Sequence, residues 1–330
     1  MQDCGKLSIK IIKESFLEFK NIFETFRLQS MVDYKFETPP LSFEDAATLI
    51  ENETLKGYVL YEDEKPAGFL LYFVSDLQAI EVNIIHIEGK NFINKKRKEL
   101  LARLVEDVKG QDFWNVISYP LLGIQQSFMR EIVQVGFKMV GQTIVKFPFD
   151  SPLSDKIRKK VNLADLPEDY ELTEWKPEYF EQACDVIFES FSKAKDTLFD
   201  PRFLTLEGTR DVLTKITTEE YGVFLDKVTS VLLYKGNVVG ICFTNLTNPL
   251  IMNIPLVGIK DTYKNKGFGK YLLKQTTDKA VNKIKEEQVK IFELNATVET
   301  DNFPALRMYR KIGYVEDHSY PHAYLSNSCS

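Results

Sequence analysis

The sequence predicts an α/β protein built from two tandem, similar domains, each a mixed and mostly antiparallel sheet flanked by helices. Three observations carry that prediction. Between Ile251 and Lys274 an apolar run ends at Ile259, a short polar loop holds Gly267 and Gly269, and an amphipathic segment follows at once, the pattern of strand, glycine loop and helix. From Val289 to Tyr314 a second apolar run leads through a polar turn into a helical segment that ends at Gly313. The first half of the chain repeats the order of the second. Gly68 and Gly240, Ile87 and Ile259, and the pairs Leu100-Leu101 and Leu272-Leu273 stand 172 positions apart, while Gly136-Phe137 precedes Gly313-Tyr314 by 177.

Taken in order, Leu7 to Lys13 reads as a strand and Ser15 to Leu28 as a helix with Phe16, Phe19, Ile22, Phe23 and Phe26 on one face. That aromatic stripe is a core face. Ser42 caps a second helix to Glu53, with Asp45 close behind. Gly57 to Tyr61 and Pro66 to Val74 form a hairpin, Glu81 to Ile87 a further strand, and Asn94 to Lys109 a helix. The basic run Lys95-Lys96-Arg97-Lys98 is read as the solvated start of that helix, because Leu100-Leu101 continue an ordinary amphipathic pattern. Trp114 to Tyr119 is a strand, Gln125 to Val135 a helix, and Gly136-Phe137 leads into a last strand pair. Residues 151–166, rich in Ser, Pro, Asp and Lys, read as a linker between domains at 1–150 and 167–330. The second half follows with a strand at Tyr170 to Glu174, helices at Glu178 to Phe191 and Thr209 to Ile216, and a hairpin of Ser230 to Tyr234 and Val238 to Thr244 that turns on Lys235-Gly236-Asn237.

Bulk properties narrow the function. With 330 residues, 44% of them hydrophobic and 27% charged, the chain can build two real cores and is not disordered. A net charge of −6 argues against a nucleic-acid surface, which needs a basic face. Cys4, Cys184, Cys242 and Cys329 are scattered without metal or redox spacing, and with only three histidines, His86, His318 and His322, the composition argues against a zinc site; no metal is expected. Neither a signal core nor an apolar run of membrane length is present, so a cytoplasmic protein is expected.

The chemistry centres on the glycine loop. Gly267 and Gly269 stand where a helix opens, so backbone N–H groups can point outward as a nest for phosphate, and Lys264, Lys266 and Lys270 add positive charge. The following helix buries Leu272, Leu273, Thr276, Ala280 and Ile284 along one face. Gly269-Lys270 is followed by Tyr271, which excludes a Walker loop, and Leu272 stands where a dinucleotide fingerprint needs its third glycine. Lys264-Asn265-Lys266-Gly267-Phe268-Gly269 instead resembles the acyl-CoA loop of the GNAT acyltransferase superfamily, Arg/Gln-x-x-Gly-x-Gly/Ala. Asn302, Ala305, Tyr309, Gly313 and Tyr314 fall in register with that superfamily's second motif. The tandem arrangement is similar to that of the mycothiol synthases, in architecture only.

The resemblance implies two tandem GNAT-like domains, the second an acetyl-CoA-dependent N-acetyltransferase acting by direct attack of a primary amine, with acetyl-CoA as cosubstrate. The implied partners are acetyl-CoA and an amine-bearing small molecule or peptide. It further implies that Lys264, Asn265, Lys266, Gly267, Phe268, Gly269 and Lys270 hold the pyrophosphate, that backbone N–H groups of Val257, Gly258 and Ile259 bind the pantetheine and thioester oxygen, and that Asn302 helps hold the pantetheine arm. Tyr309 is the expected general acid, a phenol matched to a departing thiolate. Glu293 is the candidate base, sharing a strand face with Asn295 and Thr297; Glu299 and Asp301 are alternatives, and Thr297 stands where some relatives carry a glutamate. Lys264 in place of Arg/Gln and Asp261 in place of a common proline are the departures from the pattern. In the first half, Lys95 and Arg97 stand for Gly267 and Gly269, Gln125 for Asn302 and Ile132 for Tyr309, so that domain is expected to be a degenerate copy. A non-catalytic acyl-CoA sensor and an aminoacyl transferase using transfer RNA are the alternatives; Tyr309 argues against the first, and the charge and intact loop against the second.

Overall fold

Neither half of the sequence completes its own sheet: each of the two compact units takes a strand from the other half. The computed structural model describes residues 5–33, 42–75, 78–89, 91–123 and 125–327. Cys4, Cys329 and the side chain of Phe16 fall outside the described positions. Unit 1 comprises Met1–Val140, Leu198–Asp200 and Tyr320–Ser330, and unit 2 comprises Gly141–Thr197 and Pro201–Ser319.

Unit 1 runs β1 (Leu7–Ile11), α1 (Phe16–Asp33), α2 (Phe43–Glu51), β2 (Leu55–Glu62), β3 (Lys65–Val74), β4 (Ala79–Ile87), α3 (Ile93–Val108), β5 (Val116–Pro120) and α4 (Met129–Val135). Strands β1 to β4 form an antiparallel meander, and β5 joins parallel to β4 over Ala79 to Glu81 only. The expected cap of α2 is present: the Ser42 hydroxyl accepts from the Asp45 N–H, and the Asp45 carboxylate accepts from the Ser42 N–H in return. Two cores lie on opposite faces of the sheet. Phe19, Ile22, Phe23 and Phe26 of α1 pack with Phe69 and Ile84, whereas Leu100, Leu101 and Leu104 of α3 pack with Leu70, Ile85 and Ile117.

Unit 2 contains β6 (Lys138–Pro148) from residue 141 on, then α5 (Pro152–Lys160), β7 (Tyr170–Glu174), α6 (Phe180–Phe191), α7 (Leu206–Thr217), β8 (Val223–Phe224), β9 (Ser230–Tyr234), β10 (Asn237–Cys242), β11 (Asn245–Asn248), β12 (Ile251–Asn253), β13 (Val257–Ile259), α8 (Phe268–Glu287), β14 (Glu293–Glu299), α9 (Phe303–Ile312) and the first part of β15 (Val315–Ser326). One sheet places β6, β14, β12, β11 and β8 side by side, and a second places β13, β10, β9 and β7. Strand β6, written in the first half of the sequence, pairs with β14 from Gln142 to Pro148. Reciprocally, His322 to Ser326 at the end of the chain pair with β5 in unit 1.

The segment expected as a linker is ordered as α5. Ser151 caps it, and Arg158 reaches both Asp155 and Asp278 of α8, while the Tyr271 hydroxyl donates to the Ala164 carbonyl at 2.8 Å. The single strand expected up to Ile259 is in fact two. Pro255 has no N–H to offer a ladder, and the chain changes partner across it: the Ile254 N–H donates to Asn295 in β14, but the Leu256 carbonyl accepts from Phe243 after β10. A second departure is in α3, whose basic start is only partly solvated: Lys95 is exposed, but Lys96 is 3% and Arg97 7% exposed. The burial of Leu100, Leu101, Leu104 and Val108 turns the same face of the preceding turn inward.

Candidate active site

The change of partner at Pro255 opens a gap in unit 2. Strand β12 runs parallel to β14 over Ile251 to Asn253, but β13 pairs with β10, and Ala296 to Glu299 keep only β6 as neighbour. The ladder bonds Lys260 N–H to Val239 and Phe243 N–H to Leu256 make Gly258 and Ile241 the pair that exchanges hydrogen bonds. By alternation, the backbone groups of Val257 and Ile259 point away from β10. Accordingly the Ile259 carbonyl accepts from Ser190 Oγ of α6 at 3.0 Å. Of the three residues expected to offer backbone donors, Val257 and Ile259 face away from the ladder and Gly258 faces into it. Gly258 has a different reason to lack a side chain, since a Cβ there would lie 2.8 Å from Ile187 and 2.9 Å from Ser190.

The glycine loop follows β13 directly. Gly267 is left-handed, φ +85°, with open space where a Cβ would be, and it caps α8 without a side chain. Asn265 is also left-handed, φ 62°. At the start of α8 the Lys270 N–H donates to the Gly267 carbonyl at 3.0 Å, while the N–H groups of Phe268 and Gly269 precede the helical ladder and carry the positive end of the dipole of a 20-residue helix. Gly269 plays a different part: its Cβ would meet Met308 Sδ of α9 at 3.0 Å and Ile259 Cδ1 at 3.5 Å, so its hydrogen lets α8 approach α9 and β13. Phe268 is buried against Tyr170, with ring centroids 4.6 Å apart. Of the lysines, Lys264 pairs with Asp261 at 2.7 Å, Lys266 lies over the Tyr263 ring at 5.2 Å, and Lys270 is in the first turn of α8.

Motif two builds the far wall. Asn302 caps α9, its side chain accepting from the Ala305 N–H at 3.2 Å, with Pro304 in the first turn and Gly313, φ +107°, ending the helix. Tyr309 is 2% exposed and packs edge-on against Tyr314 at 5.0 Å. Burial, and then the nearby Cys242, hold its ionisation well above the ordinary phenol value; burial also pushes the Cys242 thiol up to about 12. Tyr314, likewise raised by burial, shares a hydrogen bond with Thr277.

The acidic candidates separate along β14. Glu293 opens the strand and is engaged by Lys146 at 3.3 Å, which itself holds Asp317 at 2.6 Å. Glu299 closes the strand six residues on, about 20 Å away at the usual rise, at the end that meets α9. Its side chain is 13% exposed and lies 3.8 Å from Lys195. Burial raises its carboxyl above the ordinary value, with Asp196 adding to the rise and Lys195 opposing it. Asp301 is exposed and bonded to Lys195, which lowers it. The alternation that sequence reading used on β14 could not say which end meets the glycine loop.

The Acetyltransferase (GNAT) family model matches residues 180–314, the stretch that holds both the glycine loop and motif two. Residues 180–314 form a GNAT-superfamily domain. The whole chain has the tandem GNAT fold. It aligns with a tandem GNAT protein from the clavulanic acid biosynthesis pathway over 98% of this chain and 100% of that one, at 12% identity and a TM-score of 0.59. A GCN5-related N-acetyltransferase from Sphaerobacter thermophilus aligns over 97% and 95% of the two chains, at 13% identity and a TM-score of 0.60. A fungal GCN5-related glucosamine N-acetyltransferase region, part of a multi-domain β-N-acetylglucosaminidase, aligns over 98% of this chain and 38% of that one, at 11% identity and a TM-score of 0.63. A search of the curated proteins gives no match. Among the described residues no cluster of metal-binding side chains is found, and no helix is long and apolar enough to cross a membrane.

Proposed function

We propose that unit 2 is an acetyl-CoA-dependent N-acetyltransferase that passes the acetyl group to a primary amine by direct attack. The observation that carries this reading is the gap opened between β13 and β14 at Pro255, with the uncapped start of α8 at its mouth. A diphosphate suits the N–H groups around Gly267, and an extended arm laid in the gap would meet the outward backbone groups of Val257 and Ile259, restoring the ladder that the split removed. Donors fixed in this way can also polarise the thioester carbonyl without reorganising.

Glu299, at the loop end of β14, is the base in this proposal, and Glu293 serves the Lys146 ion pair instead. A carboxyl raised by burial is a better acceptor for an ammonium proton than an ordinary one. The amine then attacks the carbonyl, and the tetrahedral intermediate collapses to amide and thiolate. The thiolate takes the proton of Tyr309, and the second proton that the nitrogen sheds on becoming an amide restores the phenol through solvent. The same dry surroundings that raise the phenol also raise the departing thiol, so the gap between them stays small. Asn302 shapes this end of the cleft by capping α9. Unit 1 does not take part in coenzyme binding: on the register of its buried face, α3 begins three residues earlier than α8 and its helix occupies the place of the loop.

The test is binding of acetyl-CoA by calorimetry, followed by a panel of amines scored by released thiol. Binding with turnover of at least one amine supports the proposal. Binding with none points to a sensor, and absence of binding defeats both.

A further inference from the structure

Two cations of α3 are buried, and only one has a counter-ion. Lys96 donates to Glu62 Oε2 at 2.8 Å. Arg97 has no such partner. Its Nε is sealed from solvent without a hydrogen bond, and no carboxylate of the described residues stands within ion-pair distance. Its guanidinium carbon lies 5.9 Å from the centroid of Phe128, the outer limit of a cation–π contact. Glu131 on α4 carries an unpartnered buried Oε2, but it does not reach Arg97. His86 supplies no negative charge: burial, and then the charge of Arg97, push its imidazole down to about 4, so it is neutral at ordinary pH.

A guanidinium whose Nε is sealed from water without a partner is held at a cost, and its two terminal nitrogens, which are not sealed in the same way, remain open to a counter-ion. The place is informative as well. On the register that superposes Leu100-Leu101 on Leu272-Leu273, Arg97 stands at the position of Gly269, whose side-chain direction in unit 2 leads toward the end of β13 and α9. Where unit 2 has only a glycine hydrogen, unit 1 presents a guanidinium backed by an aromatic ring.

We propose that unit 1 binds a small oxyanion, a carboxylate or a phosphate, at Arg97. The planar fork of a guanidinium binds either group by donating two parallel N–H···O bonds to its oxygens, and Phe128 forms the apolar wall behind it. The site is independent of the acetyl-transfer reading of unit 2, and either can stand without the other.

The experiment uses the full chain and follows the side-chain Nε–H signal of Arg97 by proton–nitrogen correlation, assigned by its loss in Arg97→Met. Sodium acetate and sodium phosphate are titrated separately against sodium chloride at matched ionic strength. The expected result is a saturable displacement of that signal by one of the two anions and not by chloride, with the responding anion deciding between carboxylate and phosphate. The same anion raises the thermal midpoint of the wild type and leaves that of Arg97→Met unchanged. Arg97→Lys keeps the charge without the fork and needs about tenfold more anion for the same response. A signal unmoved by either anion overturns the proposal, whether or not Arg97→Met folds. So does a loss of stability in Glu131→Gln equal to that in Arg97→Met, because that result identifies an internal ion pair.

Discussion

At the scale of single residues, the proposed acid and the proposed base differ in what surrounds them. Tyr309 is enclosed by apolar side chains and Tyr314, so Tyr309→Phe removes one oxygen and little else. The expected outcome is a fall in kcat of about 10²-fold with acetyl-CoA affinity kept, measured by thiol release and calorimetry. Unchanged turnover with a good acceptor would remove the phenol from the mechanism. Glu299 and Glu293 can be separated by pH. A base must be deprotonated, so kcat/KM falls as pH drops through the carboxyl's own pKa, and for Glu299 that fall begins above the ordinary carboxylate range. Glu299→Gln should abolish the acid limb and most of the activity, whereas Glu293→Gln leaves the limb in place; the opposite pattern returns the role to Glu293.

At the scale of elements, the glycine loop contains two glycines with unlike requirements. Gly267 needs its left-handed backbone, and any L side chain there costs about 1–2 kcal/mol, enough to redirect the N–H groups at the start of α8. Gly267→Val is therefore expected to weaken acetyl-CoA at least about tenfold in a folded protein. Gly269→Ala presses on the flexible Met308, so its expected effect is a modest loss of thermal stability with coenzyme affinity largely kept. Equal losses of affinity from the two substitutions would contradict this division. The two were indistinguishable in the sequence, because both read simply as glycine. The same holds for Lys96 and Arg97, where a run of four basic residues hides which of them the apolar face of the helix turns inward.

At the scale of the whole molecule, the exchange of strands makes the halves of the sequence interdependent. A chain beginning at residue 167 lacks β6, which pairs with β14 over seven residues, and lacks α5, which is tied to α8 through Arg158 and Asp278. Expressed alone it should be insoluble, because β14 would present an open edge and the core would lose Val145 and Phe147. Recovery of a soluble, cooperatively unfolding fragment would refute that dependence. Acid should act first on unit 1, where His86 and His322 are held down to about 4 from an ordinary 6.5. Both are neutral when folded and take up protons when unfolded, so stability is intact above about pH 6.5 and falls as pH drops toward 4. A thermal midpoint that stays flat across that window, followed through hydrogen exchange in β4 and α1, would show that these imidazoles are not sealed.

The sequence by itself determined the class of the fold, the duplication and the local punctuation. Ser42 and Gly313 act within one turn of their own helices, and a signal so local survives any tertiary arrangement. Periodicity likewise marked Phe19, Phe23, Leu272 and Leu273 as core, since an apolar stripe must be covered. Only the tertiary structure decided where Glu293 and Glu299 lie, that Pro255 divides one apolar run between two sheets, and that β6 serves the unit it does not belong to in sequence. Those outcomes depend on which distant strand offers its backbone as partner. Hydrogen bonds between strands are made by main-chain groups that are alike at nearly every residue, so the choice is settled by packing across the whole sheet and leaves no mark in a single stretch of side chains.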